Sequence, residues 1–385
     1  MESFLWVITA LLTVQLMFVI WNTAQFPKAV LPDSNSPVQT VHSGQERMTK
    51  VSILIPARDE ERNIDSCLRS VSQQRAEGLD YEIIVLNDRS SDKTGTIAEE
   101  YARKFSRIRV LEGREPAAGW TGKSYACHQL AEEATGDILF FMDADARLEP
   151  GALSALTAFA TRQGSGIVSG FPRQETETLI EKLVVPMMMY TISCHLPVAL
   201  VHGTHDPKFA AAHGAALLIH RDTYRDIGGH AAVRSDLVDD MAIVRKAKEG
   251  KHPVSLIEMY SWVRMRMYRN GSEVWNGYKK NLFPGVGRNP VIMAGILSIY
   301  TILYLVPPLM LLPALFFAND WIIPAILSSV LAMLTKSYSD RKNGLSGYLG
   351  LAIALSAGIL ICIALDSWLS SGSGKGYEWK GRRYL

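Results

Sequence analysis

Five aspartates stand where carboxylates could act together. Asp88 follows the apolar run Tyr81-Glu-Ile-Ile-Val-Leu86 and Asn87, and Asp143-Ala-Asp145 follows Asp137-Ile-Leu-Phe-Phe-Met142. Both runs read as buried strands. Ligands of α/β sheets settle outside the carboxyl ends of strands, so the two acidic sites converge on one crevice. The paired carboxylates of Asp143 and Asp145 can hold Mg²⁺ or Mn²⁺ through hard oxygen atoms, with substrate phosphates completing the shell. A solvated turn can carry the same D-x-D pattern, but Asp88 one α/β unit upstream strengthens the functional reading. Further on, Leu237-Val-Asp-Asp-Met241 places Asp239 beside Asp240. Two adjacent carboxylates raise one pKa by repulsion, which suits a general base. Acids at a helix N-terminus are the plainer alternative.

The elements that must position these groups alternate. Strands are expected at Val51–Pro56, Tyr81–Leu86, Ile108–Leu111 and Asp137–Met142. Helices are expected at Glu60–Gln74, Asp92–Phe105 and Ser124–Ala134. This pattern predicts an α/β domain built on a mostly parallel sheet with helices on both faces.

The ends of the chain differ. Phe4–Ile20 is apolar and long enough to cross a bilayer, reading as an uncleaved anchor rather than a signal peptide, since a basic n-region is missing. Val291–Phe317, Trp321–Leu334 and Tyr348–Leu369 are further candidate spans, the middle one needing to reach Lys336 or beyond. The expected organisation is an anchor at 1–24, a Pro/Ser/Gln/Asn-rich linker at 25–50, a catalytic domain at 51–289, about three membrane helices at 290–370 and a basic tail at 371–385. Leu183–Val201 is apolar too, but spanning would put Asp143 and Asp240 on opposite sides of the bilayer. An interfacial or buried segment is therefore expected there. Lys28, Arg47 and Lys50 after the first span, and Lys336, Arg341 and Lys342 between the last two, place the domain in the cytoplasm of a multi-pass cell-membrane protein. Lys375, Lys380, Arg382 and Arg383 ask for a cytoplasmic tail as well, whereas four full spans would put it outside. Either one segment is re-entrant or the rule fails here.

A net charge of +2 gives no reason to expect a nucleic-acid partner. The scattered Cys67, Cys127, Cys194 and Cys362 form no C-x-x-C pair. His195, His202, His205, His213, His220 and His230 crowd one region without zinc-site spacing, and His213-Gly214 reads as a loop near an acceptor site.

Pro56-Ala-Arg-Asp-Glu60, Leu86-Asn-Asp-Arg-Ser-Ser-Asp-Lys-Thr94, Gly122-Lys123 and Asp143-Ala-Asp145 together resemble the family-two glycosyltransferases of GT-A fold. Gly119-Trp-Thr-Gly-Lys-Ser124 and Glu378-Trp-Lys-Gly-Arg382 are similar to the membrane-bound branch that glycosylates carotenoids, including diaponeurosporenoate and hydroxychlorobactene glycosyltransferases, with patches shared by hopanoid-pathway enzymes. The resemblance covers nearly the whole chain. It implies donor binding by Pro56, Glu60, Asp88, Lys123 and Asp143, with Glu60 and Asp88 at base and ribose. It implies a metal held by Asp145 with Asp143, and Asp240 as base with Asp239 in support. The family's usual Glu-Asp is Asp-Asp in this chain. The Q-x-x-R-W motif of processive relatives is absent; Arg269 and Trp275 stand as candidates for diphosphate binding and ring stacking. Basic Arg264, Arg266 and Arg269 would equally suit lipid headgroups. The implied activity is inverting transfer of a hexose from a nucleotide-sugar, UDP-glucose first, to a carotenoid or other isoprenoid at the membrane. A glycolipid or polysaccharide synthase is the alternative within the superfamily, and a non-catalytic scaffold the alternative outside it.

Overall fold

The computed structural model describes residues 1–32, 39–42, 45–76, 78–317, 319–371, 377–379 and 382–384. Parts of the expected linker and much of the basic tail, including Lys375 and Lys380, lie outside the described residues. The chain divides into two compact units.

The first unit, residues 26–173 with 197–266, is α/β. Its strands are β1 (Lys50–Ala57), β2 (Asp80–Asn87), β3 (Ile108–Glu112), β4 (Ile138–Phe141), β5 (Ala146–Leu148), β6 (Ile167–Ser169), β7 (Leu217–His220), β8 (Val254–Leu256) and β9 (Val263–Met265). Its principal helices are α1 (Ile64–Ser72), α2 (Thr94–Lys104), α3 (Gly122–Glu133), α4 (Ala152–Gln163) and α5 (Asp239–Glu249). Seven strands form one sheet in the order β8-β6-β7-β4-β1-β2-β3. The β1–β2, β2–β3, β1–β4 and β6–β8 pairs are parallel, while β7 is antiparallel to both β4 and β6. The sheet is thus mixed rather than simply parallel. Ile53, Leu54 and Ile55 of β1 and Ile83, Ile84 and Val85 of β2 are all buried, as strands covered on both faces must be. A short three-stranded sheet, in which β9 lies between β5 and the two-residue strand Arg173–Gln174, stands apart from this sheet, with β5 and β9 antiparallel.

The expected strands and helices form, with shifted starts. Residues 61–63 make a turn and α1 begins at Ile64, while the Glu60 N–H donates to the Thr94 hydroxyl at 2.7 Å. That bond joins the loop after β1 to the loop after β2. Within 25–50, Gln39–His42 pairs with Gln45–Met48 as an antiparallel hairpin.

The second unit, residues 1–25, 174–196 and 267–385, is mainly helical. Among the described residues four helices are long and apolar enough to cross a membrane: Glu2–Thr23, Pro290–Pro313, Ile322–Lys342 and Gly347–Ser371. The Ile322 helix does continue past Lys336, as its length required. Val7, Val14 and Met17 of the first helix, and Leu309 and Leu312 of the second, are exposed apolar side chains. Polar contacts join the helices on their inner sides. Thr9 Oγ1 and Ser328 Oγ lie 2.8 Å apart, and the Tyr304 hydroxyl donates to Gln15 at 2.9 Å. Such bonds add specificity where apolar packing alone discriminates poorly. In place of one long helix over 183–201 there are Leu179–Val184, Met187–His195 and Val198–Gly203, interrupted at Pro186 and Pro197.

Candidate active site

The carboxyl ends of β1, β2 and β4 deliver Pro56, Asp88 and Asp143 to one end of the sheet. Because β7 runs the other way, the loop before it, His213-Gly214, reaches the same end. A pocket there is lined by Pro56, Lys123, Asp143, Gly214, His230, Asp239 and Asp240, with Cys127, Phe141, Met142 and Leu217 as its apolar wall.

Lys123 sits in the first turn of α3, whose N-terminus is capped by the Thr121 hydroxyl. Its ammonium meets Asp143 Oδ1 at 2.7 Å. Burial works against the lysine's charge, but Asp143, Asp239 and Asp240 hold its pKa well above the ordinary value. A permanent cation facing these carboxylates suits a phosphate-bearing ligand. Gly214 makes the pair possible. A Cβ there would lie 2.8 Å from Lys123 Nζ and 3.0 Å from Asp143 Oδ2.

Asp239 and Asp240 occupy the first turn of α5, so the helix-terminus reading and the base reading hold together. Asp239 is buried and Asp240 half-buried at the pocket wall. Asp240 Oδ1 accepts the Met241 N–H at 2.7 Å. Burial, then the neighbouring charge of Asp239, pushes the Asp240 pKa up to about 7, with Lys123 opposing. A carboxylate poised there exchanges protons near neutral pH.

Glu60, Asp88 and Asp145 lie at the same sheet end without lining the pocket. Asp88 is buried, with its N–H bound to the Ala57 carbonyl at 2.8 Å and its own carbonyl accepting Arg58 Nη1 at 2.8 Å. Glu60 accepts the Asn63 side-chain amide at 2.7 Å. Buried Cys67 lies among the acids; burial and the charges of Asp145, Glu60 and Asp143 all push its thiol pKa up. Asp143 and Asp145 are both half-buried on the turn after β4, and their all-oxygen donor set fits Mg²⁺ or Mn²⁺. Arg269 and Trp275 belong to the helical unit. There the Arg269 N–H is bound by Glu273 at 2.8 Å, and the Trp275 indole donates to Asp366 at 2.8 Å.

Sequence reasoning passed over Tyr224 and gave Cys127 and His230 no role. His230 is buried against Phe141 and Tyr224, at ring-centroid distances of 4.8 and 5.6 Å. The available signal was the Gly228-Gly229 pair before it, both at positive φ. That backbone, which glycine adopts without strain, turns the chain and aims the next residue inward.

Comparison with known proteins follows the same lines. Residues 52–211 match the family described as glycosyl transferase family 2. The chain is 29% identical over 347 residues to the 4,4'-diaponeurosporenoate glycosyltransferase of Staphylococcus aureus strain MRSA252, covering 87% of this chain and 88% of the relative. It is 28% identical over 347 residues to the protein of the same name in strain bovine RF122 / ET3-1, with the same coverage. Among solved structures it resembles the mannosyltransferase PcManGT from Pyrobaculum calidifontis, determined with GDP-Man and Mn²⁺. The TM-score is 0.52 at 15% identity, covering 97% of this chain and 91% of the other, a likeness of fold. Residues 52–211 thus carry a glycosyl transferase family 2 domain, set in an α/β unit of GT-A fold, and among the described residues four helices are long and apolar enough to cross a membrane.

Proposed function

We propose that the chain transfers a hexose, with inversion, from a nucleoside-diphosphate sugar to a lipid-soluble acceptor at the cytoplasmic face of the membrane. UDP-glucose is the favoured donor and a hydroxylated or carboxylated carotenoid the favoured acceptor. The observation that carries this reading is the single pocket holding the Lys123–Asp143 pair and the Asp239–Asp240 pair. One pair offers charge for the donor's diphosphate and ribose. The other offers a base for the acceptor. Inversion follows from direct displacement, the acceptor oxygen attacking the anomeric carbon as the nucleoside diphosphate leaves from the opposite face. Asp240 takes the acceptor's proton, and buried Asp239 keeps it basic. Asp143 and Asp145 would hold Mg²⁺ or Mn²⁺, which neutralises the leaving diphosphate when bound. The relatives' name supports a carotenoid-type acceptor, and the four apolar helices support delivery from a bilayer.

The test is mass spectrometry of lipid extracts from cells with and without the gene. A hexosylated isoprenoid present only with the gene is expected. Identical lipid profiles in cells that make hydroxylated or carboxylated carotenoids would sink the proposal.

A further inference from the structure

Behind Asp239 the structure carries a chain of contacts that the reading above does not use. The Tyr224 hydroxyl accepts the His230 backbone N–H at 3.1 Å and lies 2.8 Å from His230 Nδ1. On the far side of the ring, His230 Nε2 faces Asp239 Oδ2 at 3.7 Å. That distance is a charge–dipole contact rather than a hydrogen bond.

The neutral ring has one proton to place. If it sat on Nδ1, the Nε2 lone pair would face the Asp239 carboxylate, and Nδ1–H would donate to the Tyr224 oxygen, leaving the phenolic proton with no acceptor among the described residues. With the proton on Nε2, the Tyr224 O–H donates to Nδ1 and the ring N–H faces the carboxylate. Only the second arrangement satisfies each group. Burial supports a neutral ring: it pulls the His230 pKa down to about 4, against the opposing charge of Asp239. Burial also pushes the Tyr224 pKa up, so the phenol stays a donor.

We propose that Tyr224 and His230 are positioning residues: Tyr224 locks the ring with its proton on Nε2, and that N–H holds the Asp239 carboxylate in place beside Asp240 during proton abstraction. The role in catalysis rests on the reading of Asp240 as the acceptor's base. The tautomer lock does not.

A second chemistry competes for the same atoms. Cys127 Sγ, a ring nitrogen of His230 and an Asp239 oxygen lie within 4.8 Å of one another. That set has the softness of a zinc site. With the ring proton on Nε2 and Nδ1 accepting the Tyr224 O–H, neither ring nitrogen is free to bind a metal, so the two readings exclude each other.

The experiment uses the full chain in detergent. Histidine-selective ¹⁵N spectra, with His230→Gln for assignment, should show a pyridine-type Nδ1 and a pyrrole-type Nε2 for His230. The reverse tautomer overturns the lock. In transfer assays to a hydroxyl acceptor, His230→Leu should lower kcat at least about tenfold with donor KM little changed. His230→Gln should recover most of the loss, because its amide can accept from Tyr224 and donate toward Asp239. Tyr224→Phe, which keeps the ring's bulk, should show the same kcat defect in milder form. Equal defects in the Gln and Leu variants, or a defect confined to donor KM, would overturn the positioning role. Titration with Co²⁺ should give no thiolate-to-metal band. A band abolished by Cys127→Ser would show that the three side chains are a metal site instead. A wild type that transfers no sugar, yet shows the expected tautomer, would count against the glycosyltransferase reading while leaving the lock standing.

Discussion

At the scale of single residues, two neighbouring aspartates carry different work because their surroundings differ. Asp239 is buried between His230 and Lys123, while Asp240 opens to the pocket. The pKa of Asp240 is raised, so it holds a proton below about 7 and becomes an available base above it. Transfer to a hydroxyl acceptor should therefore rise with pH through that range. Asp239→Asn removes the charge that lifts Asp240, so the inflection should move to lower pH. An inflection that stays in place would detach the profile from this pair. A second prediction concerns the cation. Asp145→Ala should lose nearly all transfer, and Mn²⁺ should bind the wild type weakly until a nucleoside diphosphate is added, because such ions lean on substrate phosphates. Full activity of the variant in excess chelator would remove Asp145 from the metal's shell. Asp88 and Asp143 stood out in the sequence because an acid directly after a buried apolar run marks a strand's carboxyl end, whereas Asp239 and Asp240 stood out as an adjacent acidic pair. Tyr224 and His230 did not, since their meeting depends on packing against Phe141, far away in the chain.

At the scale of elements, the site depends on where β7 turns the chain. Gly214, just ahead of β7, is the point where Lys123 and Asp143 press closest to backbone. Gly214→Ala should spare the fold, because the atom struck first is the mobile end of the lysine. It should raise donor KM several-fold with little change in melting temperature. A large loss of stability with unchanged donor KM would contradict this account. The alternation of apolar runs made the parallel part of the sheet readable. The antiparallel β7 was missed because Leu217–His220 is a four-residue strand with no turn signature to give its direction. The true start of α1 was missed for a similar reason. Glu60 looks helical in sequence, but residues 61–63 form a turn, and the Glu60 N–H ties the loop to Thr94, distant in the chain.

At the scale of the whole molecule, hydropathy made the four long helices legible, since twenty apolar residues leave few alternatives. The apolar stretch over 183–201 was harder, because length alone does not show that Pro186 and Pro197 divide it. The cytoplasmic assignment predicts the side of the short loop after the Ile322–Lys342 helix. In a Cys362→Ala background, Ser346→Cys should resist an impermeant thiol reagent in intact cells and react once the membrane is opened. Ready labelling of intact cells would reverse the orientation. The most direct test of the central claim is made on the purified full chain, with UDP-glucose and a hydroxylated carotenoid in detergent or liposomes. Released UDP and glycosylated lipid are followed together, with Asp240→Asn alongside. The account predicts acceptor-dependent release by the wild type. In the variant, donor binding should persist while turnover falls by roughly a hundredfold to ten-thousandfold. Asp240→Asn turning over at the wild-type rate on the hydroxyl acceptor would contradict it.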